Sequence, residues 1–185
     1  MSLSSRSPSN SSPGRSSPNV RVIQELYQEY NELGYKQALK ELDEATLEQC
    51  SVIVIEPMRL GDETSRWIAV GNFLHKSTVL TGLACSVSVG LLPERWGALV
   101  WAPLSVSTLG TYLIYSLSWQ SDPCSKYQVE RNKDILAALN LNNLSSWSVV
   151  VLRHRDDARR RLLHGLVTLL TLSVVGCRLY KMAKQ

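Results

Sequence analysis

No two cysteines of this sequence lie closer than 35 residues: Cys50, Cys85, Cys124 and Cys177 stand apart. Without a Cys-x-x-Cys or a Cys/His cluster, zinc-ligand spacing is absent and a disulfide-dense fold is excluded. The three histidines, His75, His154 and His164, are equally scattered. The sequence also lacks a phosphate-binding loop, a dinucleotide fingerprint and a Gly-x-Ser-x-Gly elbow. Charge is the most telling shortage. Residues 77–121 hold only the neighbours Glu94 and Arg95, whereas residues 1–76 carry 8 bases and 10 acids and residues 122–185 carry 11 and 5. Averages conceal this gap: 44% hydrophobic residues, 19% charged residues and a mean hydropathy near zero would suit one ordinary soluble domain.

What is present begins with a polar tail. Residues 1–20 contain nine serines and three prolines, with Leu3 and Val20 as the branched apolar residues. Such a segment buries too little surface to offset its ordering entropy, so a disordered tail is expected. Ser7-Pro8, Ser12-Pro13 and Ser17-Pro18 give it proline-directed phosphorylation motifs. Residues 21–50 are expected to form an acidic helical segment. Val22, Leu26, Tyr30 and Leu33 recur at helical spacing, with Gly34 placed to end that turn. Leu39 and Leu42 continue the pattern, with Glu41, Glu44 and Glu48 on the polar side. A β-branched run follows at residues 52–55, stopped by Glu56-Pro57, and a second spans 149–152.

The middle of the chain points to a membrane. Residues 77–93 form a 17-residue uncharged run of roughly 26 Å as a helix, which Phe73, Leu74 and a snorkelling Lys76 extend toward a bilayer core of about 30 Å. Residues 96–121 add 26 uncharged positions after the turn Leu92-Pro93-Glu94-Arg95. Two buried helices of a soluble domain are the competing reading, but the second run has no charged face. Trp96 at one end, and Tyr115 and Trp119 at the other, lie where membrane interfaces should be. The expectation is a mainly α membrane protein with a transmembrane hairpin at about 73–92 and 96–119, and a membrane-proximal pairing of residues 52–55 with 149–152. The final apolar run, 162–177, suits a short span, a surface helix or a helix packed on the hairpin. A membrane-associated helix is favoured because Arg159, Arg160 and Arg161 precede it and Arg178 and Lys181 follow, a placement suited to anionic lipid headgroups.

Three residue sets carry site expectations. Thr78, Gly82, Ser86 and Gly90 recur every four residues, a ledge of small side chains for packing in the hairpin or against a second copy or partner protein. Arg59, Asp62, Glu63 and Arg66 read as a juxtamembrane ion-pair network rather than an acid–base pair. Asp62 and Glu63 are also placed to cap a helix beginning near Thr64. The absence of intramembrane charge weighs against an ion or proton pathway. Neither cofactor nor metal is implied. The 153–161 segment, with Asp156 and Asp157 inside it, suits lipid or partner contact better than nucleic acid.

Several strings resemble a known family. Ile53-Val54-Ile55-Glu56-Pro57, Gly61-Asp62-Glu63-Thr64, Arg66-Trp67-Ile68, Val70-Gly71-Asn72 and Leu74-His75-Lys76 look like the first signature of the mitochondrial transmembrane protein 11 family. Ser118-Trp119-Gln120, Asp122-Pro123-Cys124 and Lys126-Tyr127-Gln128-Val129-Glu130 look like its second, and Arg155-Asp156-Asp157 is similar again. The resemblance covers residues 52–161. The family often has two adjacent cysteines after its Asp-Pro, whereas Ser125 follows Cys124 here. It implies a non-enzymatic, multi-pass mitochondrial membrane protein, inner membrane favoured, that shapes mitochondria and their cristae. Its implied partners are the cristae-junction organising complex (MICOS-type) and other membrane proteins, with a homo-oligomer as a further possibility. The alternative is an accessory subunit of a mitochondrial transporter or respiratory complex.

Overall fold

The computed structural model describes residues 19–24, 32–131 and 149–184, without the side chains of Glu94 and Arg95. The Ser/Pro tail, its Ser-Pro motifs, Leu26 and Tyr30 lie outside the described residues. The elements are β1 (Val20–Ile23), α1 (Glu32–Leu47), β2 (Val52–Ile55), α2 (Met58–Leu91), α3 (Glu94–Ser118), a 3-10 turn (Pro123–Lys126), β3 (Tyr127–Val129), β4 (Val150–His154) and α4 (Ala158–Ala183).

β2 lies inside a four-stranded mixed sheet of order β1-β2-β4-β3, parallel to β1 and antiparallel to β4. The expected pairing is present, with Ile53 opposite Leu152 and Ile55 opposite Val150. Ile53, Val54 and Ile55 are fully buried. A strand covered on both faces reads as an unbroken apolar run rather than an alternating one. Tyr127, also fully buried, donates its hydroxyl to the Cys50 carbonyl at 2.8 Å and so ties β3 to the segment entering β2. Ala38, Leu42 and Ala45 of α1 close one side of this core, at the 3.6-residue period of one helical face.

Three expectations need correction. Val20 and Val22 belong to a strand, not to a disordered tail or a helix. Gly34 lies inside α1 rather than ending a turn, and Leu33 is exposed while Leu42 is buried. α2 begins at Met58, because Pro57 supplies helix-compatible φ (−61°) at its N-cap; Asp62 and Glu63 therefore sit one turn in and cap nothing. Tyr115 and Trp119 stand at one end of α3, buried against α2, and Trp96 at the other end is exposed.

α2, α3 and α4 form a three-helix bundle. Thr78 meets Thr111, Thr81 meets Thr108 and Cys85 meets the Trp101 carbonyl, so α3 runs antiparallel to α2. Gly82 lies against Val167 and Thr171 while His75 contacts His164, so α4 runs parallel to α2. Trp96–Ser118 and Ala158–Ala183 are the two helices among the described residues that are long and apolar enough to cross a membrane. The expected first arm, the second half of α2, is not one of them. Its Ser77, Thr78, Thr81, Ser86 and Ser88 hydroxyls lower its apolarity, and each donates to or accepts from the bundle or lies half-buried in it.

Candidate functional site

The sheet meets the bundle where α2, the end of α3 and the start of α4 converge, and there the family-like strings come together. Trp67 and Trp119 stack with ring centroids 4.2 Å apart. The Trp119 indole N–H donates to the Trp67 carbonyl at 3.1 Å, and the Trp67 indole N–H donates to the Asp122 carboxylate. Gly71 lies directly beneath the Trp119 ring, at a distance where a Cβ would stand 2.5 Å from Trp119 Cδ1. One residue on, the Asn72 amide donates to Gln128 Oε1 at 2.9 Å and accepts from Arg160 Nη2 at 2.6 Å. Asn72 thus joins α2, β3 and α4 through one side chain.

Below this network His75, Tyr115 and His164 pack ring on ring, with His164 4.7 Å from Tyr115 and 5.2 Å from both His75 and Tyr112. Spacing along the chain gave no hint of this cluster, since His75 and His164 are 89 residues apart. Among the described residues no group of three His, Cys, Asp or Glu side chains could hold a metal ion.

The ion-pair residues occupy the outer side of α2. Arg59 Nε bonds Glu63 at 3.1 Å and Arg66 reaches Asp62 at 3.9 Å, both one helical turn apart. Glu63 also accepts the Tyr35 hydroxyl, and the Arg59 guanidinium sits 4.7 Å over the Tyr35 ring, so the set extends to α1. That hydroxyl bond, helped by Arg59, holds the Glu63 carboxyl below the usual range, and it raises the Tyr35 phenol in turn. Exposed pairs of this kind contribute less than about 1 kcal/mol each.

The ledge divides. Thr78 and Gly82 are buried within the bundle, Ser86 is half-buried, and Gly90 is exposed with no atom within 4 Å of its Cβ position. The basic residues divide too. Arg160 is held by Asn72 and Arg161 by Asp157 at 2.8 Å, whereas Arg159 is exposed. Arg178 and Lys181 line a groove of about 330 Å³ with Val89, Ser173 and Cys177 at the opposite end of the bundle.

All four cysteines are free, Cys50 and Cys124 included. Burial, reinforced by the Asp122 and Asp43 carboxylates, pushes the Cys124 thiol from 9.0 up to about 12. The reactive species is the thiolate, so near neutral pH its fraction falls roughly a thousandfold below that of an ordinary thiol. Maleimide labelling at Cys124 is accordingly expected to be negligible in the folded protein near neutral pH, to rise with pH, and to recover on unfolding. Peptide mapping after a timed pulse reads this directly; rapid labelling of the folded chain would contradict the geometry.

The profile of the family described as mitochondrial morphogenesis regulator matches residues 19–180. The chain is 41% identical over 161 residues to "Transmembrane protein 11, mitochondrial" of Danio rerio, covering 87% of this chain and 85% of that one. It is 42% identical to "Transmembrane protein 11-A, mitochondrial" of Xenopus laevis over the same shares. The Homo sapiens protein is 40% identical, with 83% of its length covered. No solved structure matches.

Proposed function

Because the chain belongs to the mitochondrial morphogenesis regulator family, we propose that it is a non-enzymatic, three-pass mitochondrial membrane protein. In this reading it maintains mitochondrial shape and cristae organisation by assembling with other membrane proteins, including the cristae-junction organising complex. The inner membrane is the favoured location.

The observation that carries the membrane part is that the bundle buries several hydroxyls and a histidine while it turns leucine and valine outward. Thr108 is 0% exposed, Thr171 1% and His164 2%, while Leu117 is 80%, Leu99 72% and Val106 70% exposed. A soluble helix does the reverse, turning leucine inward and hydroxyls outward. The outward leucines continue along α2 as Leu80, Leu83, Val87 and Leu91 and along α4 as Leu162, Leu166, Leu169 and Leu172. A monomer in water rarely exposes an apolar patch beyond about 600 Å². Lipid removes that conflict and also explains the core, since helices in hydrocarbon associate through hydroxyl bonds and close packing at small residues.

α2 joins the spans in this reading although its average apolarity is lower. It packs along both α3 and α4, its outward face is leucine and valine, and its hydroxyls face the bundle. On α4, Arg161 and Arg178 stand about 26 Å apart along the axis, close to the thickness of a bilayer core. Arg159 at one end and Arg178 and Lys181 at the other would meet headgroups of opposite leaflets. An odd number of crossings puts the sheet and the last residues of α4 on opposite sides.

Alkaline carbonate extraction and protease protection of tags at each end test the membrane reading. The chain should stay with the membrane, with its two tags protected in opposite compartments. Protection of both tags on one side would reduce the spans to two, and extraction into the soluble fraction would overturn the reading. Loss of the protein followed by re-expression, scored by electron microscopy of mitochondrial outline and cristae, tests the function. Co-purification with a single transporter or respiratory complex, together with loss of that complex's activity, would support the accessory-subunit reading instead.

A further inference from the structure

Beside Asn72 a groove of about 600 Å³ opens between α2 and β3. Arg66, Lys76 and Arg131 line it together with the side-chain amides of Asn72 and Gln128. Among the described residues neither Lys76 nor Arg131 has an acidic partner, and Arg66 holds Asp62 only at 3.9 Å with both side chains largely exposed. Three cations around two amides make the groove electropositive, and phosphate oxygens accept charge-assisted bonds from guanidinium, ammonium and amide donors alike.

A second feature selects among phosphate compounds. Lys76 is the last charge before the 17 uncharged residues 77–93, which begin inside α2, so the groove opens where charge ends along that helix. Phe73, exposed and itself part of the groove wall, shares one face of α2 with exposed Leu80 one heptad on. A phosphate seated between Arg66 and Lys76 would thus have two apolar side chains, Phe73 and Leu80, leading from it along the bundle's outer surface. A soluble phosphate has no use for them, and an acyl chain does.

We propose that the groove binds the headgroup of an anionic phospholipid, its phosphate held by Arg66, Lys76 and Arg131 and one acyl chain laid along Phe73 and Leu80. The site rests on the membrane reading given above. It differs from general attraction of basic residues to a charged surface because it is a defined cavity with amide donors and a chain path. Asn72 is positioned at the groove by Arg160, whose guanidinium occupies the Asn72 carbonyl while the amide N–H₂ donates to Gln128, a second lining residue.

The test uses the full chain purified in a neutral detergent and titrated separately with phosphatidylglycerol, phosphatidylcholine and inorganic phosphate, with bound molecules counted by native mass spectrometry. Phosphatidylglycerol is expected to bind at least tenfold more tightly than phosphatidylcholine. The triple variant Arg66→Gln, Lys76→Gln, Arg131→Gln should abolish that preference, and Phe73→Ser should weaken the lipid without restoring phosphatidylcholine. All four positions are exposed, and circular dichroism should confirm an unchanged helix content. Equal binding of both lipids, or a preference that survives the triple variant, overturns the proposal. Inorganic phosphate competing as strongly as phosphatidylglycerol overturns the lipid assignment and leaves a soluble phosphate site. If carbonate extraction releases the chain, the membrane reading itself has failed; if the chain stays integral yet shows no lipid preference, only the groove assignment has.

Discussion

Gly82→Leu is expected to prevent stable assembly of the three-helix bundle. A Cβ at this position would stand 2.5 Å from Val167 Cγ1, 3.0 Å from Thr171 Oγ1 and 3.2 Å from Thr108 Cγ2, so α3 and α4 both press on the same hydrogen. Val167 is a β-branched residue with a stiff χ1 and cannot swing away cheaply. Overpacking by one or a few methylenes costs about 1–3 kcal/mol where a core can adjust. Here the full leucine must separate α2 from α4, and the Thr171 hydroxyl loses the Gly82 carbonyl it reaches at 3.3 Å. The total is on the order of the 5–15 kcal/mol that holds a typical domain together. The measurable result is a chain that inserts but is degraded, or that unfolds at far lower detergent stress than the parent. Gly90→Leu is the matched control, since nothing lies within 4 Å of that Cβ. It should accumulate normally. Equal stability of the two variants would mean that α4 does not dock where described.

Gly71→Ala is expected to produce a large effect from one methyl group. The added carbon would stand 2.5 Å from Trp119 Cδ1 and 2.7 Å from Nε1. The indole cannot yield freely: it is stacked on Trp67 and its N–H is bonded to the Trp67 carbonyl. Displacing it forfeits an aromatic pair worth about 0.5–1.5 kcal/mol beyond area burial and a hydrogen bond of about 1 kcal/mol, added to the overpacking cost. A loss of roughly 3 kcal/mol follows. Tryptophan fluorescence separates this from global damage, because a ring driven from its stack shifts its emission before the helices melt. Trp119→Phe should rescue Gly71→Ala in part, the smaller ring making room for the methyl. Lack of any destabilisation in Gly71→Ala would refute the close approach.

Which of these features could be read from the sequence follows from how local their causes are. The β2–β4 pairing was legible because a β-branched run ended by proline has few alternatives. β1 was not, since Val20-Arg21-Val22-Ile23 is short, only Ile23 is buried, and Val22 also satisfies a helical spacing. β3, three residues long, owes its place to the buried Tyr127 hydroxyl and to a partner strand distant in sequence. The ledge was visible as a face, because periodicity fixes which residues share one. It does not fix what covers them, and the bundle reaches Gly82 but not Gly90. The convergence of Trp67, Gly71, Asn72, Trp119, Gln128 and Arg160 lay beyond periodicity altogether, because it depends on the order in which helices return to the sheet. The family-like strings marked all of them but Arg160, which stood out only as one of three basic residues before an apolar run, and they marked them singly.

The sheet's strand order also governs when the molecule can be completed during synthesis. β2 is made before the helical hairpin and its partner β4 after it, so Val52 waits for Arg153, about a hundred residues later, before its ladder closes. Contacts of such long sequence separation form late, because the intervening chain must first be positioned. Until then β2 has only the short β1 beside it and presents an unpaired, wholly apolar edge, the kind of surface on which chains aggregate. Placement of α2 and α3 side by side is what brings the two ends together. Closure of the ladder is therefore a late step, and a nascent chain whose α2–α3 hairpin is misformed keeps that edge open.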